Sequence, residues 1–152
     1  MKAVVQRMDF AEVIVDGKTV GDGKNGLLVL LGVADGDTES EAELLASKVS
    51  NLRIFCDEND KMNLSVLDVE GSVLTVSNFT LCADTKKGNR PSFIGAMEPN
   101  EANRLYLYFV ECLKNCGVGD AKVGEFGADM TINAKLAGPV TILLDTDIWR
   151  KK

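Results

Sequence analysis

A chain of 152 residues with 45% hydrophobic and 26% charged content suits one globular domain, residues 1–152, with a sizeable core. It contains no histidine, which excludes a Ser-His-Asp triad, a Cys-His pair and any histidine-ligated metal, and leaves chemistry to backbone N–H groups, hydroxyls, carboxylates or the substrate itself. The formal net charge of −6 argues against a general nucleic-acid coat, which needs Lys and Arg to displace phosphate counterions, but not against a local basic patch.

The longest uninterrupted apolar stretch, Leu27 to Leu31, is far below the roughly 20 residues of a membrane span. The opening Met1-Lys2-Ala3-Val4-Val5-Gln6-Arg7 turns polar too early for a signal peptide, so a cytoplasmic location without membrane contact is expected.

In chain order, Ala3 to Arg7, Glu12 to Val15 and Leu27 to Val33 are rich in Val and Leu and punctuated by Asp16-Gly17, Gly21, Gly23 and Asn25-Gly26, which predicts an antiparallel meander. Thr38 followed by Glu41 forms a capping box, and Ala42, Leu45, Val49 and Leu52 recur at helical spacing, so a first helix is expected over Glu39 to Arg53. Asn63 to Val69 and Ser72 to Leu81 flank Glu70-Gly71, a tight-hairpin signal. Pro99-Asn100 opens a second helix with apolar positions Leu105, Tyr108, Phe109, Cys112 and Cys116, ending at Gly117. Strands over Ala121 to Glu125, Ala128 to Ala134 and Val140 to Asp145 complete the order. The expected class is α+β, with a mainly antiparallel, barrel-like sheet and two principal helices.

Cys56, Cys82, Cys112 and Cys116 lack paired C-x-x-C spacing and read as core thiols, so neither a metal nor an organic cofactor is implied. Lys86-Lys87-Gly88-Asn89-Arg90 is the densest basic run in the body of the chain, and Arg150-Lys151-Lys152 closes it; each is a solvated segment or a phosphate contact.

Two segments at the ends of strand-like runs bear the chemistry: Ser77-Asn78-Phe79-Thr80-Leu81 and Gly138-Pro139-Val140-Thr141. Backbone N–H groups around Ser77, Asn78 and Phe79 could donate to developing negative charge and need no titratable side chain. Thr80 has a hydroxyl but no histidine base, so it reads as a positioning residue rather than a nucleophile.

Along nearly its whole length the chain resembles the D-aminoacyl-tRNA deacylases. The likeness lies in Ala3-Val4-Val5-Gln6-Arg7, Gly26 to Val33, Asn51-Leu52-Arg53-Ile54-Phe55, Lys61 to Asp68, Lys87 to Phe93, Phe126-Gly127-Ala128-Asp129-Met130 and Gly138-Pro139-Val140-Thr141. The resemblance implies hydrolysis of the ester joining a D-amino acid to the 3′ end of tRNA, assisted by the substrate's own 2′-hydroxyl. It implies a homodimer in which a cis Gly138-Pro139 segment of one subunit enters the other's pocket and Arg7 holds that segment in place. It also implies that L side chains are rejected rather than D side chains gripped, so that glycine mischarged on tRNA is accepted.

Phe126 and Met130 match residues lining the family's pocket, and Ala102 a small residue near its amino-acid end; core packing is the alternative for all three. The chain departs from the family at Asn78, where glutamine is usual, and at Leu136, where asparagine is usual. Those departures motivate a second hypothesis, a non-catalytic tRNA-end or nucleotide-binding module of the same fold.

Overall fold

The computed structural model describes residues 1–150; Lys151 and Lys152 of the terminal basic run lie outside them. Two long strands, β1 (Lys2–Val15) and β2 (Lys18–Gly32), pair antiparallel across the tight turn at Asp16-Gly17. Asp16 (φ 50°) and Gly17 (φ 77°) both adopt the left-handed conformation that a two-residue turn of this kind requires. The expected separate strands Ala3 to Arg7 and Glu12 to Val15 are thus one element, which absorbs a register shift between Val13 and Ile14.

Helix α1 spans Glu39–Asn51. Its capping box forms as expected, with the Thr38 N–H donating to Glu41 Oε2 at 2.7 Å. The helix ends before Arg53 because Leu52 turns to an extended conformation, φ −59° and ψ 124°.

After a small antiparallel pair, β3 (Phe55–Cys56) and β4 (Met62–Leu64), the chain enters β5 (Ser72–Ser77). β5 does not form a hairpin with the segment before Glu70-Gly71. It pairs parallel with β2, in register from Leu27↔Val73 to Leu31↔Ser77. Ser72 through Val76 are all buried, as in a strand covered on both faces rather than one alternating between core and water. Gly71 serves a close approach to β2, since a Cβ there would lie 2.2 Å from the Asn25 carbonyl oxygen.

Helix α2 (Pro99–Asn115) follows, with proline in its first turn and a C-terminal stop in which Gly117 (φ 109°) donates to the Lys114 carbonyl and Val118 to that of Leu113. β6 (Asp120–Val123) then pairs parallel with β5, and β7 (Thr131–Asp145) pairs antiparallel with β1.

The resulting sheet has the order β6-β5-β2-β1-β7. It is α+β with two principal helices, as expected, and its sheet is mixed: the long β1–β2 and β1–β7 pairings are antiparallel, while helical crossovers bring β5 beside β2 and β6 beside β5 in shorter parallel pairings. β6 and β7 are its edges, so no pairing closes a barrel among the described residues.

Alternation along the strands separates two apolar clusters. Ala3, Val5, Leu27, Val29, Leu31 and Val73 pack with both helices in the larger, while Met8, Ala11, Val13, Leu28, Leu74 and Val76 form the smaller. The segment after β2 is held rigidly. The buried α-ammonium of Met1 donates to Asp37 Oδ1 and Thr146 Oγ1, each at 2.7 Å, and Asp37 Oδ2 accepts from the Ala34 N–H at 2.7 Å. Arg150 adds a contact of 3.3 Å to Asp37. This braced segment in turn holds the approach to α2, through Met97 N–H to the Val33 carbonyl and Asp35 N–H to that of Gly95.

Candidate active site

The parallel strands β2 and β5 end side by side, and beyond their carboxyl ends lies a cleft of about 550 Å³. Leu31 and Ser77 form its strand wall, Ala102 and Tyr106 of α2 its helical wall, and Phe126 and Met130 after β6 its far side. Of the residues expected to act, Ser77, Asn78, Phe79, Ala102, Phe126 and Met130 line this one space. Thr80, Arg7, Gly138 and Pro139 do not.

Ser77 closes β5, and a short 3-10 helix, Phe79–Cys82, starts at once with Asn78 as its N-cap. The Asn78 N–H donates to the Leu31 carbonyl at 2.8 Å, continuing the β2–β5 ladder. One of the expected oxyanion donors is therefore committed to the fold. The N–H groups of Phe79 and Thr80, the first of the helix, find no acceptor among the described residues, as the opening donors of any helix lack an internal partner. Asn78 supplies no side-chain cap to them. Its carboxamide oxygen instead accepts a hydrogen bond from the Thr80 hydroxyl at 2.5 Å, so that hydroxyl points at an amide and not at a base.

Phe79 meets Phe93 edge to face, ring centroids 5.1 Å apart. Phe93 also lines the cleft, and it follows directly on a loop closed by the Asp84–Ser92 backbone pair, at 2.8 and 2.9 Å. Lys86, Lys87 and Arg90 sit in that loop, exposed and without an ion-pair partner among the described residues. The −6 chain thus groups three cations in one exposed loop that runs into Phe93, a lining residue of the cleft.

Tyr106 is a lining residue that sequence reasoning missed, having taken Tyr108 as the inward aromatic. Tyr108 packs against the edge of the core, and its hydroxyl donates to Glu43 at 2.6 Å, away from the cleft. Tyr106 is buried at 2% exposure; it stands four residues from Ala102 and three from Phe109, a helical spacing that marks it as core-facing. Its hydroxyl donates to the Thr75 carbonyl at 2.9 Å. Burial pushes its pKa up to about 12, so it remains a donor across the physiological range.

Gly138 and Pro139, joined by a cis bond, lie on the exposed edge strand β7, away from the cleft of their own chain. The β1–β7 register runs from Gln6↔Thr141 to Met8↔Leu136, so Ala137 to Val140 arch out opposite Arg7. Arg7 Nε donates to the Ala137 carbonyl at 3.3 Å and Nη1 to that of Ile54 at 2.9 Å, which ties the arch to the chain after α1. Leu136, where a polar anchor was expected to be missing, is 42% exposed.

The cysteines divide. Cys82 and Cys112 are buried and burial raises their pKa values, but Cys56 is exposed beside the Arg7 guanidinium, contrary to its expected place in the core. No group of three or more Cys, Asp or Glu among the described residues is placed to hold a metal, and no helix among them is long and apolar enough to cross a membrane.

A family model described as D-Tyr-tRNA(Tyr) deacylase matches residues 4–145. The chain belongs to that family. It is 52% identical over 146 residues to a D-aminoacyl-tRNA deacylase of Thermosipho melanesiensis, covering 96% of this chain and 97% of the relative. With a D-aminoacyl-tRNA deacylase of Dehalococcoides mccartyi the identity is 55% over 146 residues, 96% of this chain and 95% of the relative. Among solved structures, one titled c-Myc DNA Unwinding Element Binding Protein superposes with a TM-score of 0.90 at 42% identity, covering 95% of this chain and 98% of that one. A probable eukaryotic D-amino acid tRNA deacylase superposes at 0.78 with 17% identity, over 94% of this chain and 97% of that one, a likeness of fold alone.

Proposed function

We propose that the chain hydrolyses the ester joining a D-amino acid, or a glycine mischarged on tRNA, to the 3′ end of tRNA, releasing the amino acid and tRNA without metal or organic cofactor. One observation carries the reading. The strand-end corner leaves the N–H groups of Phe79 and the adjacent Thr80 without acceptors among the described residues, and Phe79 lines the same cleft as Ala102, Phe126 and Met130, which supports a seat for an aminoacyl group beside them. Each donor preorganised on an oxyanion is worth about 3–4 kcal/mol of barrier. The helper for the attacking water is the 2′-hydroxyl beside the ester, delivered by the substrate to the reacting centre.

The protein works as a homodimer in the cytoplasm. The arch at Gly138 and Pro139 reaches from one subunit into its partner's cleft and takes the space that an L side chain needs, whereas a hydrogen or a D side chain points elsewhere. Support comes from the arch's position on an open sheet edge, turned away from its own cleft and gripped from behind by Arg7. Lys86, Lys87 and Arg90 hold phosphates of the acceptor end.

The test is deacylation of D-tyrosyl-, L-tyrosyl- and glycyl-tRNA side by side. The D and glycyl esters should be cleaved and the L ester spared. Tight binding of a non-hydrolysable 3′-aminoacyl-adenosine mimic with no cleavage of any ester would instead make the protein a binding module.

A further inference from the structure

One backbone carbonyl joins the walls of the cleft. Thr75 lies in β5, two residues before Ser77, and its oxygen accepts both the Tyr106 hydroxyl of α2 at 2.9 Å and the Gly124 N–H of the loop after β6 at 3.1 Å. Gly124 is tightly seated, since a Cβ there would come within 3.0 Å of Met130 Sδ. Phe126, two residues on, packs against the Tyr106 ring at 5.9 Å between centroids. The strand wall, the helical wall and the Phe126–Met130 wall therefore share a single oxygen, inside the protein and close to the donor corner.

We propose that Tyr106 is a positioning residue for the deacylation: its hydroxyl, through the shared Thr75 carbonyl, sets the distance between the Ser77–Phe79 corner and the Phe126–Met130 wall, and so the alignment of a bound acyl group with the open N–H groups. A phenylalanine in its place fills nearly the same volume and keeps the apolar contacts, but has no directional tether to β5. The cost falls on alignment rather than on affinity, because the acyl group still finds the same apolar surface. Misplacement of a reacting group by about 1 Å is worth on the order of 100-fold in rate.

The proposal rests on the hydrolytic reading above, so its test has an arm that does not need turnover. In Tyr106→Phe, single-turnover deacylation of D-tyrosyl-tRNA should slow by about tenfold or more while the half-saturating concentration moves by less than about threefold. Amide hydrogen exchange in the same variant should accelerate over residues 124–128 but not across β1 and β2. A purely structural tyrosine gives the opposite pattern, uniform acceleration throughout the chain with an unchanged rate per folded molecule, and that result overturns the proposal. So does an unchanged local exchange rate. If the parent cleaves no ester at all, the hydrolytic reading fails, and the exchange arm still decides whether the hydroxyl holds the far wall.

Discussion

Thr80 is the residue whose chemistry is most easily misjudged. Its hydroxyl stands in the corner beside the cleft, yet it donates its hydrogen bond to the Asn78 carboxamide, and no histidine exists in the chain to withdraw its proton. A nucleophilic threonine needs such a base. Its backbone N–H, by contrast, is free of acceptors among the described residues and survives any side-chain change. Thr80→Ala should therefore keep measurable deacylation, slowed by no more than about tenfold once the hydroxyl's bond to Asn78 is gone. Trapping of an acyl group on Thr80 by mass spectrometry, together with a variant no faster than the uncatalysed reaction, would overturn this assignment. Arg7 acts differently. Its guanidinium touches no part of its own cleft and instead ties the Ala137 and Ile54 carbonyls, a structural grip on the arch.

At the scale of elements, the proposed phosphate contacts lie in the loop between Asp84 and Ser92. The backbone pair at its base fixes the loop next to Phe93, which lines the cleft, so its three cations are held together in one segment. Replacing Lys86, Lys87 and Arg90 together with alanine should weaken tRNA binding and lower the slope of log affinity against log salt by about 2, near 0.7 for each phosphate no longer neutralised. Turnover at saturation should change little. An unchanged salt slope would return the loop to a merely solvated role. Both helices, the capping box of α1 and the stop of α2 at Gly117 were legible in the sequence, because a capping box, a proline in the first helical turn and a C-terminal glycine act locally. The placement of β5 was not. Glu70-Gly71 carries the local signature of a hairpin, and only the burial of Ser72 through Val76 on both faces, a tertiary fact, selects the parallel partner. Tyr106 was missed for a related reason, since choosing between Tyr106 and Tyr108 depends on where α2 faces the sheet.

For the whole molecule, the proposed homodimer divides the site between two chains, and subunit mixing tests that division. Gly138 has φ 135°, and a Cβ there would fall 2.5 Å from the Val140 nitrogen, so Gly138→Val should distort the arch while leaving the cleft intact. Ala102→Trp should fill the cleft and leave the arch intact. Each homodimer should be inactive, and refolding the two together should restore part of the parental activity, because a mixed dimer holds one sound cleft facing one sound arch. Absence of any recovery in a mixture shown to contain heterodimers would place both parts in the same chain's site.

The central claim is that the protein supplies donors and exclusion while the substrate supplies the acid–base group. It is tested most directly by single-turnover cleavage of D-tyrosyl-tRNA whose terminal adenosine lacks the 2′-hydroxyl, compared with the ordinary ribose end. The account predicts equal binding and a rate lower by about 100-fold or more, the usual worth of a general acid–base group. Cleavage of the deoxy end within about threefold of the ribose end would show that a group on the protein does that work, and would contradict the account.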